Sequence, residues 1–486
     1  MTDRDNQSEG EMKRKYLSLT IALGVTLWLL SAAGLSASGP DSQEARLKGS
    51  MRETRHGWIH VRLEGQPREI GFQHGWHLGP EIDDTLKALS LLLENSAKRD
   101  WAFFREAAGR MFWPRLDPEY REEIEGIAEG LKARLPGTHY DKIDLTILNG
   151  WLELASYYVP YLEEKLKTGS GASRAPGSCS AFIATGRYTE DGRIVMGHNN
   201  WVDYIIGERW NVVLDIRPEK GYRIMMDALP GYIHSGDDFV VNGAGLVYTE
   251  TTIDKFKGFQ EDGIPEFGRA RKAAQYAGSI DDFIRIMTSD GNGAYANDWL
   301  VGDIKTNEIA RLELGLKNHR VWRTSDGYFI GSNFPSDEKL IAEETTFDPK
   351  DMTQGTYVRK ARWEWLMEEN KGKINVEAGK GFEEDHVDSS TGVKASNGNI
   401  LCGHIENDPR GWPPSWAPYC PAGAVQGKVT SAALAKDMKF WARMGHPCGE
   451  DFIAAPFFVK HPEYGWQKKY LKDMKSHPWT LFEAQK

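Results

Sequence analysis

Cys179 is the side chain in this sequence best suited to covalent chemistry. A thiol is the most nucleophilic group a protein offers near neutral pH. It follows the segment TGSGASRAPGS, residues 168–178, in which Gly, Ser, Ala and Pro dominate, one charge occurs and no apolar period is visible. Such a stretch reads as an exposed, flexible loop. SAFIATG and RIVMGH come next and flank Thr189-Glu190-Asp191-Gly192, a hairpin signal. Pairing about Asp191-Gly192 sets the partner of Cys179 between His198 and Tyr204, in HNNWVDY. His198, Asn199, Asn200 and Asp203 would then lie near the thiol, to orient it or to hold a substrate carbonyl. The plain structural alternative is a small buried hydrophobe, the commonest fate of a cysteine.

A loop that ends at a nucleophile opening a strand is the layout of an N-terminal-nucleophile hydrolase. The predicted cut is at Ser178–Cys179. The thiol attacks the Ser178 carbonyl, an N-to-S shift gives a thioester, and water releases the new N-terminus. The freed α-amine, with an intrinsic pKa of about 7.7–8.0, can serve as base for its own thiol, so no separate catalytic histidine is needed.

SCSAFIATG followed by GHNNWVDY resembles the phospholipase B-like proteins, as do PGYIHSGDDFVVNGAGLVYTETTI and GAYANDWLVGD, in the same order. These motifs span about Ser178 to Asp303. GQPREIGFQHG, EEIEGIAEGL and the segment from Ala424 to Thr430 extend the likeness. The upstream pieces also resemble the isopenicillin-N acyltransferase-like cysteine hydrolases. The resemblance implies a four-layer αββα sandwich with Cys179 at the end of a central strand. It also implies Cys179 as nucleophile, His198 and Trp201 beside it, Thr251 facing the site and Asn297 donating to the oxyanion. Asn200 and Asp203 complete the expected surroundings. Penicillin and bile-salt acylases carry Arg and Asp a short way after the cysteine. Here His198 stands at the Arg-like position and Asp203 is displaced, so acylase-type substrate recognition is not implied.

The expected activity is hydrolysis of acyl esters or amides, lipids among them, with contact at a membrane surface during turnover. An acyltransferase or amidase acting on small N-acyl or peptide-like amides is the alternative enzyme. A binding protein that kept the fold without the chemistry is the alternative outside catalysis.

The elements that must position these groups follow from local pattern. Residues 81–166 read as helices, with Asp117-Pro118-Glu119 a good helix start. Trp58 to Leu63 alternates as a strand and runs through a Gly-Gln-Pro turn into helical spacing at Ile70, Phe72 and His74. Strands are expected at NVVLDI, YRIMMDAL, DFVVNGAGLVYTET, NDWLVGDI, EIARLELGL, HRVWRTS and GYFIGSN. Helices are expected at FGRARKAAQYA, SIDDFIRIMTS and YVRKARWEWLMEEN. Helices followed by a run of antiparallel strands make an α+β layered domain.

At the N-terminus, Lys13-Arg14-Lys15 precedes an uncharged apolar run that ends in SAAGLSASGP. This describes a secretory signal peptide over residues 1–38 and a secreted or periplasmic product. An uncleaved membrane anchor is the rival reading. Residues 39–178 then form a helical pro-segment ending in the processing loop, and residues 179–486 the β-rich catalytic chain, packed with it as one domain. With 60 basic against 70 acidic side chains the net charge is −10, which argues against a nucleic-acid partner. Cys402-Gly403-His404, Cys420 and His446-Pro447-Cys448 fit no common zinc spacing, so the expectation is no metal and one disulfide among the three cysteines. Tryptophans of WPPSWAPY are candidates to line an acyl-chain pocket. No GxSxG, HExxH or phosphate-cradling glycine loop occurs, and no cofactor is expected.

Overall fold

The computed structural model describes residues 43–169, 171, 179–236, 239–411 and 418–485. Residues 1–48 and 49–486 form separate units, and the first shows one short helix, Gln43–Arg46. The leader peptide, Ser178 with most of its loop, and the tryptophans of 412–417 lie outside the described residues. All that follows concerns the unit 49–486.

Its strands are, in chain order, β1 Met51–Arg55, β2 Trp58–Gly65, β3 Ser180–Thr185, β4 Val195–Asp203, β5 Val212–Pro218, β6 Ile224–Ala228, β7 Val240–Asn242 and β8 Leu246–Thr252. There follow β9 Asn297–Asp303, β10 Glu308–Leu314, β11 His319–Thr324, β12 Gly327–Gly331, β13 Val387–Asp388, β14 Val393–Lys394, β15 Ala422–Ser431, β16 Lys439–Met444 and β17 Thr480–Glu483. One sheet has nine strands in the order β1-β2-β5-β6-β7-β8-β9-β10-β11, and another has six in the order β12-β3-β4-β15-β16-β17. The hairpin expected about Asp191-Gly192 forms, with Ser180 opposite Asn199 and Ala181 opposite His198.

Alternation along β3 divides its side chains between two apolar clusters. Ala181 and Ile183 pack with Met225, Val247 and Leu300 of the nine-stranded sheet. Phe182 and Ala184 face Trp363, Leu366 and Phe382 of helices Gly355–Glu369 and Val376–Glu383. On its other side the nine-stranded sheet packs Val61, Leu214, Trp299 and Leu312 with residues of helices Gly79–Ser96, Pro118–Arg134, Lys142–Glu153 and Glu266–Tyr276. The two sheets approach closely where glycines face the partner sheet. A Cβ on Gly302 would sit 3.0 Å from Ile183 Cδ1, and one on Gly331 2.5 Å from Thr251 Oγ1.

The fold is therefore mixed α+β, with two departures from the sequence reading. β2 and β5 run parallel, Ile59 opposite Val212, within an otherwise antiparallel sheet. β15, of sequence AGAVQGKVTS, is a full strand flanked on both sides, although its Gly and Ala content gives it weak strand propensity. Burial between neighbours overrides that local preference. Among the described residues no helix is long and apolar enough to cross a membrane.

Helices Pro67–His77 and Pro118–Arg134 cross through two glycine pairs. Cβ atoms on Gly71 and Gly75 would lie 1.9 and 2.1 Å from the carbonyl oxygens of Glu123 and Ile127. On the facing helix, Gly126 and Gly130 meet those of Arg68 and Phe72 at 2.3 and 2.1 Å. These clashes are with backbone, which cannot swing aside. Gly75→Ala or Gly130→Ala should cost about 1–3 kcal/mol. Thermal denaturation checks this, and an unchanged melting temperature would contradict the contact.

Candidate active site

Cys179 directly precedes β3 and is buried. By alternation it lies on the face of Ala181 and Ile183, which looks toward the nine-stranded sheet. His198 and Asn200 of β4 share that face, since His198 lies opposite Ala181, and Lys428 and Gln426 oppose them on β15. The backbone at Cys179 is clamped by Arg359, a fully buried residue of helix Gly355–Glu369. Its Nη1 donates to the Cys179 carbonyl at 2.6 Å and to Ser180 Oγ at 3.0 Å. Its Nη2 donates to Asn333 Oδ1 at 2.8 Å and to the Ser332 carbonyl at 3.3 Å. The guanidinium also lies 4.5 Å from the centre of the Trp201 ring, a cation–π distance.

Asn333 extends this clamp to the other sheet. Its backbone has φ +72°, a left-handed conformation that asparagine tolerates better than most residues. Its Nδ2 donates to the Thr252 carbonyl at 2.7 Å, and its own carbonyl accepts from Asp254 N at 3.0 Å. Thr252 is the register partner of Asn297. One polar chain thus runs from Cys179 through Arg359 and Asn333 to the strand ends that carry Thr251 and Asn297.

The structure gathers most of the sequence candidates at this end of the two sheets. Thr251 faces Gly331 across the sheet interface. Asn297 is fully buried and neither atom of its amide finds a hydrogen-bond partner among the described residues. Paired with Thr252, it shares a face with Trp299 rather than with Thr251. Trp201 is packed between Arg359 and the loop at Gly403, where a Cβ would fall 2.2 Å from the indole. Asp203 stands apart at the end of β4, its Oδ1 3.8 Å from Cys420 Sγ. Burial pushes its carboxyl up to about 6.

Four groups in this region escaped the sequence reading. Arg359 and Asn333 are two. The others are Lys428 and Asp227, an ion pair of 3.2 Å that crosses between the sheets with both side chains fully buried. Arg359 lay inside an ordinary helical pattern. Its one signal was a position beside Val358 on the buried side of that helix. Burial lowers the Arg359 guanidinium to about 9, with Cys179 and Asp254 acting in the opposite sense. Asp254, itself buried, is raised to about 6 by desolvation, opposed by Lys255 and then Arg359.

The cysteine-rich C-terminal segments also differ from expectation. Cys402, Cys420 and Cys448 are not joined by a disulfide, so the one expected among them is not formed. The argument from spacing against a metal does not hold in space: Cys402, Cys448, His404 and His386 converge from three loops. A cleft of about 490 Å³ opens beside Glu122, Glu123 and Arg271 in the helical layer, and none of its lining residues belongs to the Cys179 group.

The family model described as phospholipase B matches residues 92–340, just over half of the chain. The chain belongs to this family. An uncharacterized protein of Archaeoglobus fulgidus is 26% identical over 308 residues, 60% of this chain and 49% of its own length. Phospholipase B-like 1 of Homo sapiens is 29% identical over 138 residues, 26% of this chain and 25% of its own. Phospholipase B-like 1 of Bos taurus is 23% identical over 266 residues, 48% of each chain. The chain spans about half or less of these relatives. The matched region contains Cys179, all of β3 to β10, Thr251 and Asn297, but ends before Arg359.

Two outcomes follow from the clamp. Arg359→Met leaves the carbonyl of Cys179 and the amide of Asn333 without this donor, and should cost about 1–3 kcal/mol in chemical denaturation. An unchanged midpoint would contradict the clamp. Asp254 has a folded-state pKa of about 6, above the roughly 3.9 of an unfolded aspartate. Its charge therefore opposes folding above pH 6, and that penalty fades as pH falls toward 4. Asp254→Asn should gain on the order of 1–3 kcal/mol over wild type at pH 7.5, with little difference near pH 4. A difference that does not vary with pH would contradict the assignment.

Proposed function

We propose that this member of the family is an exported, self-processing cysteine hydrolase of acyl ester or amide bonds, with lipids as the substrate class. In this reading it is a four-layer αββα sandwich of the N-terminal-nucleophile type. Residues 1–38 are its leader, 39–178 its pro-segment and 179–486 its catalytic chain. The observation that carries the reading is the setting of Cys179: a buried thiol one residue before a central strand, its carbonyl fixed by a buried arginine.

Self-processing begins with attack of the Cys179 sulfur on the Ser178 carbonyl. The C–N bond breaks, the nitrogen takes the thiol proton, and water hydrolyses the thioester to a Ser178 carboxylate and a free thiol. Arg359 holds the carbonyl on the far side of Cys179, so the sulfur keeps its place while the bond before it is exchanged. In turnover the new α-amine removes the thiol proton and the sulfur adds to the substrate carbonyl. The leaving group departs with that proton, and water releases the acid from the thioester. Asn297, the first residue of β9, is the proposed oxyanion donor, since its buried amide has no partner among the described residues to surrender first. His198, Asn200 and Thr251 shape the acyl site, with Trp201 packed behind it against Arg359 and Asp203 set apart at the end of β4.

N-terminal sequencing and a denaturing gel test this. Wild type should give two pieces, one starting at Cys179. Cys179→Ala should remain one chain, with acyl hydrolysis reduced by about 10⁴-fold or more. Two pieces from the alanine variant, or an unbroken wild-type chain that hydrolyses acyl substrates, would overturn the proposal.

A further inference from the structure

Three loops meet beyond β4. His386 stands just before β13, Cys402-Gly403-His404 lies between β14 and β15, and Cys448 follows β16. One donor atom from each of His386, Cys402, His404 and Cys448 lies within 4.8 Å of the other three. His404 Nε2 is 3.6 Å from Cys402 Sγ and 3.5 Å from Cys448 Sγ. Around a tetrahedral zinc with bonds of about 2.3 Å to sulfur and 2.0–2.1 Å to nitrogen, neighbouring donors stand roughly 3.3–3.8 Å apart. The separations given for His404 are of that size.

The surroundings are built for the same end. Glu406 Oε1 lies 2.8 Å from His404 Nδ1, which turns Nε2 toward the two sulfurs, and Glu406 Oε2 accepts from Tyr204 Oη at 2.6 Å. A carboxylate behind a ligating imidazole fixes its tautomer and orientation. The Cys402 amide bonds the Asp385 carbonyl at 3.1 Å and the His404 amide that of Asn397 at 2.9 Å, so the backbone is set on either side of Gly403. Gly403 itself has φ +63° and lies against Trp201, a turn that a side chain could not make. His446 packs over His404 with ring centroids 4.2 Å apart.

We propose that His386, Cys402, His404 and Cys448 bind one divalent transition-metal ion of the zinc class. Two thiols release their protons to solvent on binding and two imidazoles bind neutral, so the ligand set balances the ion's charge. Four protein ligands leave no open position, which makes the site structural rather than catalytic. It ties the loop that packs on Trp201 to the segments before β13 and after β16. Asn199 adds a second tie, donating to the Leu401 carbonyl at 3.0 Å.

The test is metal analysis of the full-length protein purified without chelators. One zinc per chain is expected, falling at least about tenfold in Cys448→Ser and in His386→Ala, and unchanged in Cys420→Ser. Should the substituted chains fail to fold, cobalt(II) added to chelator-treated wild type decides. A thiolate-to-cobalt charge-transfer band with strong tetrahedral visible bands supports the site. A cobalt spectrum lacking both, or a Cys402–Cys448 disulfide in unreduced peptide maps, overturns it.

Discussion

A positive charge held away from water beside the carbonyl of Cys179 is the constraint on which this architecture turns. Burying a guanidinium is costly, and Arg359 offsets that cost by donating to oxygens of Cys179, Ser180, Ser332 and Asn333. Those acceptors belong to two segments of one sheet, and Asn333 passes the connection to β8 of the other. Each acceptor is useful only if the others are in place. The approach of the sheets at Gly331 and Gly302, the left-handed turn at Asn333 and the packing of Trp201 are all conditions for the same set of bonds.

Local chemistry was legible in the sequence, and distant pairing was not. The β3–β4 hairpin follows from a turn signal between two alternating runs, because a hairpin register is a short-range property, and it sets Asn199 opposite Ser180 while Asp203 falls away at the end of β4. The helical layer follows from apolar spacing. Arg359 was hidden because an arginine in an amphipathic helix normally points to solvent, and its acceptors arrive from segments far away in the chain. Lys428 and Asp227 each look like exposed charges in their own strands, and their pairing exists only across the sheet interface. β15 was missed because small residues signal no strand until larger neighbours cover both faces. The four-residue cluster of cysteines and histidines failed the spacing test for a related reason. Its members come from three loops, and known spacings describe sites made by one or two.

Trp201 joins two parts of the molecule that the sequence keeps well apart. One face of the indole meets the guanidinium that holds Cys179, and Gly403 packs on the same side chain from the loop between Cys402 and His404. A shift in that loop reaches the carbonyl of Cys179 through one rigid ring and one planar cation. Few intermediate side chains could absorb the movement.

The parallel seam between β2 and β5 has a further consequence for biosynthesis. A ribosome delivers β2 and the helices between Pro67 and Lys165 before the strand that must lie alongside β2 exists. Until β5 and its successors emerge, the apolar flanks of those helices have no sheet to rest on. The nascent chain is committed to a late, concerted collapse with high contact order. Keeping those half-made helices from pairing with other exposed apolar surfaces until β5 emerges is therefore a demand that this topology makes of the nascent chain.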